Sequence, residues 1–134
     1  MRLIIITLLL TLNILAQNSS KDLNTLKVQN QKCLDRGKDM LGCSRKYYIQ
    51  MDSLLNVVYK NCRSKLSLIQ QQELKKKQLL WLENRDIKFK KIDSENSGLG
   101  NGLDDLMAKT QEKADFVSER ISFLIANYPP NKIT

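Results

Sequence analysis

Two carboxylates are the side chains of this chain best suited to acid–base chemistry. Asp52 and Asp86 each stand beside an apolar stripe of helical spacing, where a carboxylate pair could transfer protons. No cofactor motif accompanies them. The chain also has no histidine, which removes His-dependent triads and most zinc and haem ligation. We therefore predict that the protein is not an enzyme, that it uses no cofactor or metal ion, and that both carboxylates have structural roles.

Three cysteines, Cys33, Cys43 and Cys62, fit an oxidising compartment. Cys43 and Cys62 fall on one predicted helix, where a 19-residue separation is roughly 28 Å at 1.5 Å per residue, too far for a disulfide. Cys33 precedes that helix and can fold back onto its first turn, so we predict a Cys33–Cys43 disulfide. Cys62 is then a buried small hydrophobe, with an intermolecular bridge or a reactive thiol as the alternative.

The elements that must position these residues are helices. In three segments, apolar residues recur every three or four positions, which is the period of an amphipathic helix. The first predicted helix covers residues 40–66. The second begins at a capping box formed by Ser67 and Gln70 and runs to Ile92, and the third runs from Leu103 to a proline pair near the C-terminus.

The other segments are predicted to be irregular. Residues 93–102 hold three of the five glycines together with serine and asparagine, which is loop composition. Residues 17–38 are polar with scattered leucine and valine, so we expect a loose or partly helical lead-in. The predicted fold class is all-α: a small antiparallel three-helix bundle with an irregular or partly helical N-terminal lead-in and one disulfide.

The N-terminus has the pattern of an export signal. A positive start and an apolar run give way to a polar exit after Ala16, and the run is shorter than the roughly 20 residues of a membrane-spanning helix. We expect cleavage near Ala16 and a protein that is periplasmic or secreted and not membrane-spanning. The predicted division is a signal peptide over 1–16, a lead-in over 17–38, a helical domain over 39–128 and a tail over 129–134.

Polar side chains follow the apolar stripes of the first two predicted helices. A carboxylate or guanidinium buried alone costs several kcal/mol, so such groups must be paired between the helices. We predict an Asp52–Arg85 ion pair with amide and hydroxyl neighbours as its hydrogen-bonding partners. The predicted structural network comprises Asp52, Asn56, Tyr59, Gln78, Trp81, Arg85 and Asp86.

The chain is basic, with 22 Lys and Arg against 14 Asp and Glu. The surplus lies in residues 17–91, whereas residues 92–134 carry more acids than bases. This distribution suits an anionic partner such as a wall polymer or lipid head groups, and export argues against nucleic acid. A solvated helical face is the plainer interpretation of the run Lys75, Lys76 and Lys77, but these lysines and the 93–102 loop are also the exposed candidates for partner contact.

The network residues, in this order and spacing, resemble the signature of the LprI-type lysozyme inhibitor family of exported bacterial proteins. The matching patterns are Met40-x-x-Cys43, Asp52-x-x-Leu55-Asn56-x-x-Tyr59, Gln78-x-x-Trp81-x-x-x-Arg85-Asp86 and, on the third helix, Arg120-x-x-x-Leu124. The resemblance implies a small disulfide-bonded domain of the cell envelope, and it adds Arg120 to the structural network. The family usually has a cysteine where this chain has Phe89, so we expect apolar packing there in place of a second crosslink.

Two functions of different classes follow. The first, implied by the resemblance, is protection of peptidoglycan by binding lysozyme. Our own hypothesis for the contact is a lysine or arginine that enters between the enzyme's active-site carboxylates. The alternative is a non-enzymatic structural or adaptor protein of the cell envelope, whose basic helices bind anionic wall polymer (including peptidoglycan) or lipid head groups. Salt dependence distinguishes them, because polymer binding weakens steeply as ionic strength rises.

Overall fold

Four helices make up the fold. The computed structural model describes residues 2–128, with side chains described from Asn18 onward, and this part of the chain contains no strand. The helices are α1 (Arg2–Asp35), α2 (Met40–Arg63), α3 (Leu68–Ser94) and α4 (Leu103–Asn127). The all-α prediction is confirmed, and the helices α2, α3 and α4 correspond to the three that the sequence predicts. The predicted three-helix count is wrong, because α1 is a fourth helix.

Most of the predicted lead-in over 17–38 belongs to α1, which continues as regular helix to Asp35. Its inner stripe is narrow: Leu23 is buried, Leu26 packs against the core, and Asn30 reaches Gln111 of α4 with an Nδ2–Oε1 distance of 3.1 Å. These contacts recur at steps of three and four residues, so a helix buries all of them on one side. A mostly polar segment is therefore helical because tertiary contacts hold it, not because of its overall composition.

Two predicted segments lie outside the residues whose side chains are described. They are the cleavage site after Ala16 and the 129–134 tail, and both stay predictions. In the described part of the chain, no helix is long and apolar enough to cross a membrane.

The core lies mainly between α2 and α4, which pack closely along their lengths. α1 covers α2 and touches α4, and α3 packs on α4. Most side chains of the main buried cluster come from the central pair, with one leucine each from α1 and α3. They are Leu23, Tyr47, Met51, Leu54, Leu55, Val58, Cys62, Leu74, Ala114, Val117, Ile121 and Leu124. The stripe that the sequence predicts along α2 is thus the inner face of the bundle.

Side-chain caps fix where the helices begin. At the start of α2, Asp39 adopts a left-handed conformation with φ 46°, and its carboxylate accepts a hydrogen bond from the Gly42 amide at 3.1 Å. At the start of α3, Ser67 and Gln70 form the predicted capping box, with bonds of 3.3 and 3.1 Å. Each cap satisfies amides that the first turn of a helix leaves unpaired.

The connection between α3 and α4 is a loop, as predicted. Charged side chains of α4 bind this loop and the end of α3. The Asp105 carboxylate accepts a hydrogen bond from the Ser97 amide at 3.4 Å and pairs with Lys109 at 2.9 Å. Lys113 pairs with Asp93. The hydrogen bond from Ser97, followed by that from Lys109, lowers the pKa of Asp105.

Candidate functional site

Arg85 lies between the two carboxylates that the sequence singles out. Its Nη1 is 3.9 Å from Asp52 Oδ1, across the α2–α3 boundary, and its Nε and Nη2 donate to Asp86 Oδ1 at 3.1 and 2.9 Å. Both carboxylates are solvent-accessible, with 43% of the Asp52 side chain and 62% of the Asp86 side chain exposed. The geometry brings Asp52 and Arg85 together, but as a long contact at the surface, where an ion pair contributes about 1 kcal/mol or less.

Asn56 and Tyr59 extend along α2 and do not form hydrogen bonds to α3. Asn56 is exposed, and its amide donates to the main-chain oxygen of Asp52, one turn earlier on the same helix, at 3.2 Å. Tyr59 is half-buried and packs against the core. Asn56, predicted as a hydrogen-bonding neighbour of the Asp52–Arg85 pair, thus makes a contact within α2 instead.

Gln78 is buried and pairs with Arg120 of α4. Its Oε1 accepts two hydrogen bonds from that guanidinium, from Nε at 3.0 Å and from Nη2 at 2.9 Å. Burial lowers the pKa of Arg120. Because hydrogen bonds to a charged group are stronger than neutral ones, this partly buried pair is a strong polar link between α3 and α4.

Aromatic rings and cations pack along the same boundary. Trp81 stacks on Phe116 with ring centroids 5.6 Å apart and an interplanar angle of 13°. The guanidinium carbons of Arg85 and Arg120 lie 5.9 and 5.6 Å from the Trp81 ring centroid, within the range of cation–π attraction. We call Trp81, Arg85, Phe89, Phe116 and Arg120 the cation–aromatic cluster. It uses the polar signature residues of α3 to hold that helix on α4.

Phe89 extends the cluster toward α2. Its ring meets those of Tyr48 and Phe116 edge-on, at centroid distances of 6.0 and 6.2 Å, and Lys113 lies 5.4 Å from its centre. The expected apolar packing at this position is therefore confirmed. Phe116 and Lys113 are members of this neighbourhood that the sequence did not reveal, although Phe116 falls one position before the buried Val117 on the α4 stripe.

The disulfide joins Cys33 to Cys43, as predicted, with a Cα–Cα distance of 5.8 Å. It closes residues 34–42, which we call the disulfide-closed turn. Arg36 and Lys38 are both exposed on this turn, next to Gly37 with φ 63°. A covalent bridge at the base and the Asp39 cap therefore restrain a turn that carries two cations.

Cys62 is a buried free thiol at the far end of α2, which confirms the predicted buried state. Its sulfur donates to the main-chain oxygen of Leu124 with a separation of 3.8 Å, and burial raises the pKa of the thiol. Thiol reactivity depends on the thiolate, so this position favours a packing role.

A groove of about 420 Å³ lies beside the disulfide, between α1 and α2. Lys32, Arg36 and Lys46 line it, and Tyr47 and Asn30 contribute to its wall. Burial, followed by the nearby Asp115 carboxylate, raises the pKa of Tyr47 to about 12, so the phenol is neutral at ordinary pH. The described residues contain no cluster of histidine, cysteine or acidic side chains that could hold a metal ion.

The remaining predicted contact residues are Lys75, Lys76 and Lys77. All three are exposed on the outer side of α3. They lie between Leu74 and Gln78, two of the three buried positions of α3, so a lysine-rich solvated face is compatible with how α3 packs.

These features define a small, disulfide-bonded helical domain whose polar signature is largely occupied in holding its own helices together. The family model described as lysozyme inhibitor LprI matches residues 29–124, from the last turns of the first helix almost to the end of the fourth. The chain therefore belongs to the LprI lysozyme inhibitor family. No curated protein and no solved structure matches it.

Proposed function

We propose that this protein is exported to the periplasm or secreted, where it binds lysozyme without catalysing a reaction and so protects peptidoglycan. The family match over residues 29–124 carries the proposal. A binding role is also consistent with the positions of Asp52 and Asp86. Both are solvent-accessible carboxylates beside the same guanidinium, whereas an acid–base pair usually has at least one carboxyl group shielded from water.

The disulfide-closed turn is the contact surface that we propose. Lysozyme cleaves its substrate between two carboxyl groups in a cleft, and an exposed guanidinium or ammonium group placed there would pair with them. Arg36 and Lys38 are exposed on a turn that is already restrained by the Cys33–Cys43 bridge and the Asp39 cap. Ordering a turn before binding lowers the entropy lost on association.

The positive charge of the chain does not oppose this arrangement. Repulsion from a lysozyme that is itself basic is screened beyond about 8 Å at physiological salt, so it slows the encounter more than it weakens the complex. Pairing between Arg36 and a carboxylate inside the cleft acts at contact distance, in a region of lower effective dielectric constant. The complex should therefore associate faster as moderate salt is added.

Lysis of cell-wall suspensions tests the proposal. The wild-type protein in excess should slow lysis by at least one lysozyme type at a fixed stoichiometry. The double variant Arg36→Gln/Lys38→Gln should lose inhibition by roughly a hundredfold, because each lost contact to a charged group removes on the order of 1.5 kcal/mol. The control is a triple glutamine variant of Lys75, Lys76 and Lys77, which removes charge from α3 and should inhibit like the wild type.

The possible results test the proposed lysozyme inhibition and the proposed contact surface separately. If excess wild-type protein fails to slow lysis by lysozymes of several types, the proposed function is wrong. If the wild type inhibits and only the α3 variant loses inhibition, the function stands and the contact surface moves to α3. Thermal unfolding of each variant shows whether a loss of inhibition reflects a loss of folding.

The alternative function, anionic wall polymer or lipid binding, is favoured by one feature of α3. Its exposed lysines Lys75, Lys76 and Lys77 precede Leu79 and Leu80, which are 50% and 60% exposed. Basic and apolar side chains together suit a polyanionic or lipid surface. Sedimentation with purified peptidoglycan or anionic vesicles at two salt concentrations tests it. Steep loss of binding with salt, no effect on lysozyme and dependence on the α3 lysines would support this alternative.

A further inference from the structure

The side of α3 that points away from the bundle carries apolar side chains. Ile69, Leu80 and Ile87 are 71%, 60% and 67% exposed, although α3 buries a separate set of residues against the other helices. The three positions follow one another at steps of 11 and 7 residues. These steps are close to three and two whole turns, so the three side chains share one side of the helix. A helix with apolar residues on two opposite sides usually has both sides covered.

Four charged residues lie on the same side of α3 and alternate in sign along the chain. They are Glu73, Lys76, Glu83 and Lys90. All four are exposed, and none forms an ion pair with another residue in the described part of the chain. Together with the three apolar residues they follow one another at alternating steps of 4 and 3 residues, which is the spacing of a coiled-coil seam. We call these seven residues the outer stripe.

The order of charges on the outer stripe is complementary to itself when a second copy runs in the opposite direction. Leu80 lies near its middle, with Lys76 4 residues before it and Glu83 3 residues after it. In an antiparallel pair of α3 helices with Leu80 on the two-fold axis, Lys76 and the Glu83 of the second copy differ in height by one residue, or about 1.5 Å. Two-fold symmetry makes this ion pair twice, once on each side of a Leu80–Leu80 contact.

The ends of the outer stripe match in the same arrangement. Ile69 lies 11 residues before Leu80 and Lys90 lies 10 residues after it, so the alkyl chain of Lys90 can cover Ile69 of the second copy. Its ammonium group is then about 4.5 Å along the axis from Glu73, within reach of two long side chains. A parallel pair would place every charge beside the same charge of the other copy, which is unfavourable. The charges therefore select the antiparallel direction.

We propose that the outer stripe of α3 binds a second copy of this chain in an antiparallel, two-fold symmetric dimer. An anionic lipid surface or wall polymer would repel Glu73 and Glu83 on the same stripe. A different protein would have to supply the alternating order of charges that a second copy already carries. The outer stripe shares no residue with the disulfide-closed turn, so the proposal is independent of lysozyme binding.

Sedimentation equilibrium of the purified protein from about 10 µM to about 1 mM measures the association, and the average mass should rise toward twice that of the monomer. Lys76→Glu places two like charges together on each side of the axis, so it should raise the dissociation constant at least roughly tenfold. Glu83→Lys should do the same. The charge-swapped variant Lys76→Glu/Glu83→Lys should return to within roughly threefold of the wild type, because both ion pairs form again in reverse.

The matched control is Lys77→Glu, which makes the same change of charge on the neighbouring exposed residue. Lys77 lies about 100° further round the helix, at the side of the outer stripe, so this variant should dimerise as the wild type does. All the substituted residues are exposed, and thermal unfolding of dilute samples should give the same melting temperature for each variant.

Crosslinking tests the direction of the pair without relying on the strength of association. Chains carrying Lys76→Cys are mixed with chains carrying Glu83→Cys, all in a Cys62→Ala background, and oxidised mildly. In the antiparallel dimer the two different positions are adjacent, whereas two copies of position 76 are about 12 Å apart along the axis and two copies of position 83 about 9 Å, too far for a disulfide. The mixed disulfide should therefore form faster than either disulfide between identical positions.

Four results would overturn the proposal. They are a monomer mass up to about 1 mM, no recovery of dimerisation in the charge-swapped variant, equal weakening by Lys77→Glu and Lys76→Glu, and crosslinking mainly between identical positions. A protein that stays monomeric but sediments with anionic phospholipid vesicles would identify this side of α3 as a lipid-binding surface instead.

Discussion

Removing the Cys33–Cys43 bridge should destabilise the protein by an amount that its loop length sets. The two cysteines are separated by 10 positions. Crosslinking a loop of this length removes about 9 cal/mol/K of entropy from the unfolded chain, or about 2.7 kcal/mol at 25 °C. We therefore expect Cys33→Ala/Cys43→Ala to lose about 2.7 kcal/mol of unfolding free energy, and to melt roughly 10 °C lower, since a domain of this size shifts by several degrees per kcal/mol.

Urea unfolding followed by circular dichroism measures this loss. The wild type should be compared with the double variant, each with and without dithiothreitol. Reduced wild type should unfold at the same urea concentration as the variant, and the reductant should leave the variant unchanged. A Cys62→Ala variant serves as the control, because it removes a buried thiol without removing a crosslink, so its stability should still depend on the reductant.

Equal unfolding midpoints for the oxidised wild type and the double variant would refute this reasoning. The bridge would then not restrain the unfolded chain, and the disulfide-closed turn would lose its claim to be ordered before binding. A loss far above 2.7 kcal/mol would instead show that the bridge holds α1 against α2 in the native state. In that case the reduced protein should expose the Asn30–Gln111 contact to faster amide hydrogen exchange.

Three further variants test separate contacts. Gln78→Ala should lower the free energy of unfolding by about 1.5–3 kcal/mol, because the α4 guanidinium loses its acceptor; the exposed Gln72→Ala on the same helix should change it by less than about 0.5 kcal/mol. Gly42→Ala places a methyl group against the Asp39 carboxylate, so it should not stabilise the wild type. In an Asp39→Gly background the same substitution should stabilise the protein by about 0.5–1 kcal/mol through helix propensity. Equal effects in both backgrounds would contradict this. Hydrogen bonds from a loop serine and a neighbouring lysine hold the pKa of Asp105 below the ordinary 3.8. The ionised carboxylate therefore stabilises the fold above pH 3.8, and this stabilisation is lost as the pH falls through the folded-state pKa. Asp105→Asn should flatten the acid side of a stability–pH profile.

The helices that the sequence predicts are those with strong local signals. α2 has an apolar stripe over its whole length, and α3 opens with a capping box that forms as predicted. α1 lacks such a signal over residues 18–35, because Leu23 and Leu26 are the main apolar residues that it contributes to the core. A helix with so few apolar residues on its inner face can be predicted only from its tertiary contacts. Composition alone describes it as a loose segment.

The partners of the polar side chains are harder to predict from the sequence than the helices that carry them. Their spacing indicates which face of a helix they occupy, but it does not indicate which neighbouring helix that face meets. The sequence predicts Gln78 as a hydrogen-bonding neighbour of the Asp52–Arg85 pair, yet its partner is Arg120 of α4. The difference arises because α4 packs directly on α3, a choice that depends on the shapes of whole helices. Only the resemblance to a family brought Arg120 into the predicted set.

The family signature residues and the exposed cations of the disulfide-closed turn have different structural roles. Gln78, Trp81 and Arg120 make contacts within the bundle, so changing them alters stability first and any partner contact only indirectly. Arg36 and Lys38 are exposed on a turn whose shape depends on a disulfide and a cap, not on their own side chains. Their charges can therefore vary without cost to the fold. If the disulfide-closed turn is the contact surface, as proposed, the residues that select the partner lie outside the family signature, and members of one structural family could bind different enzymes.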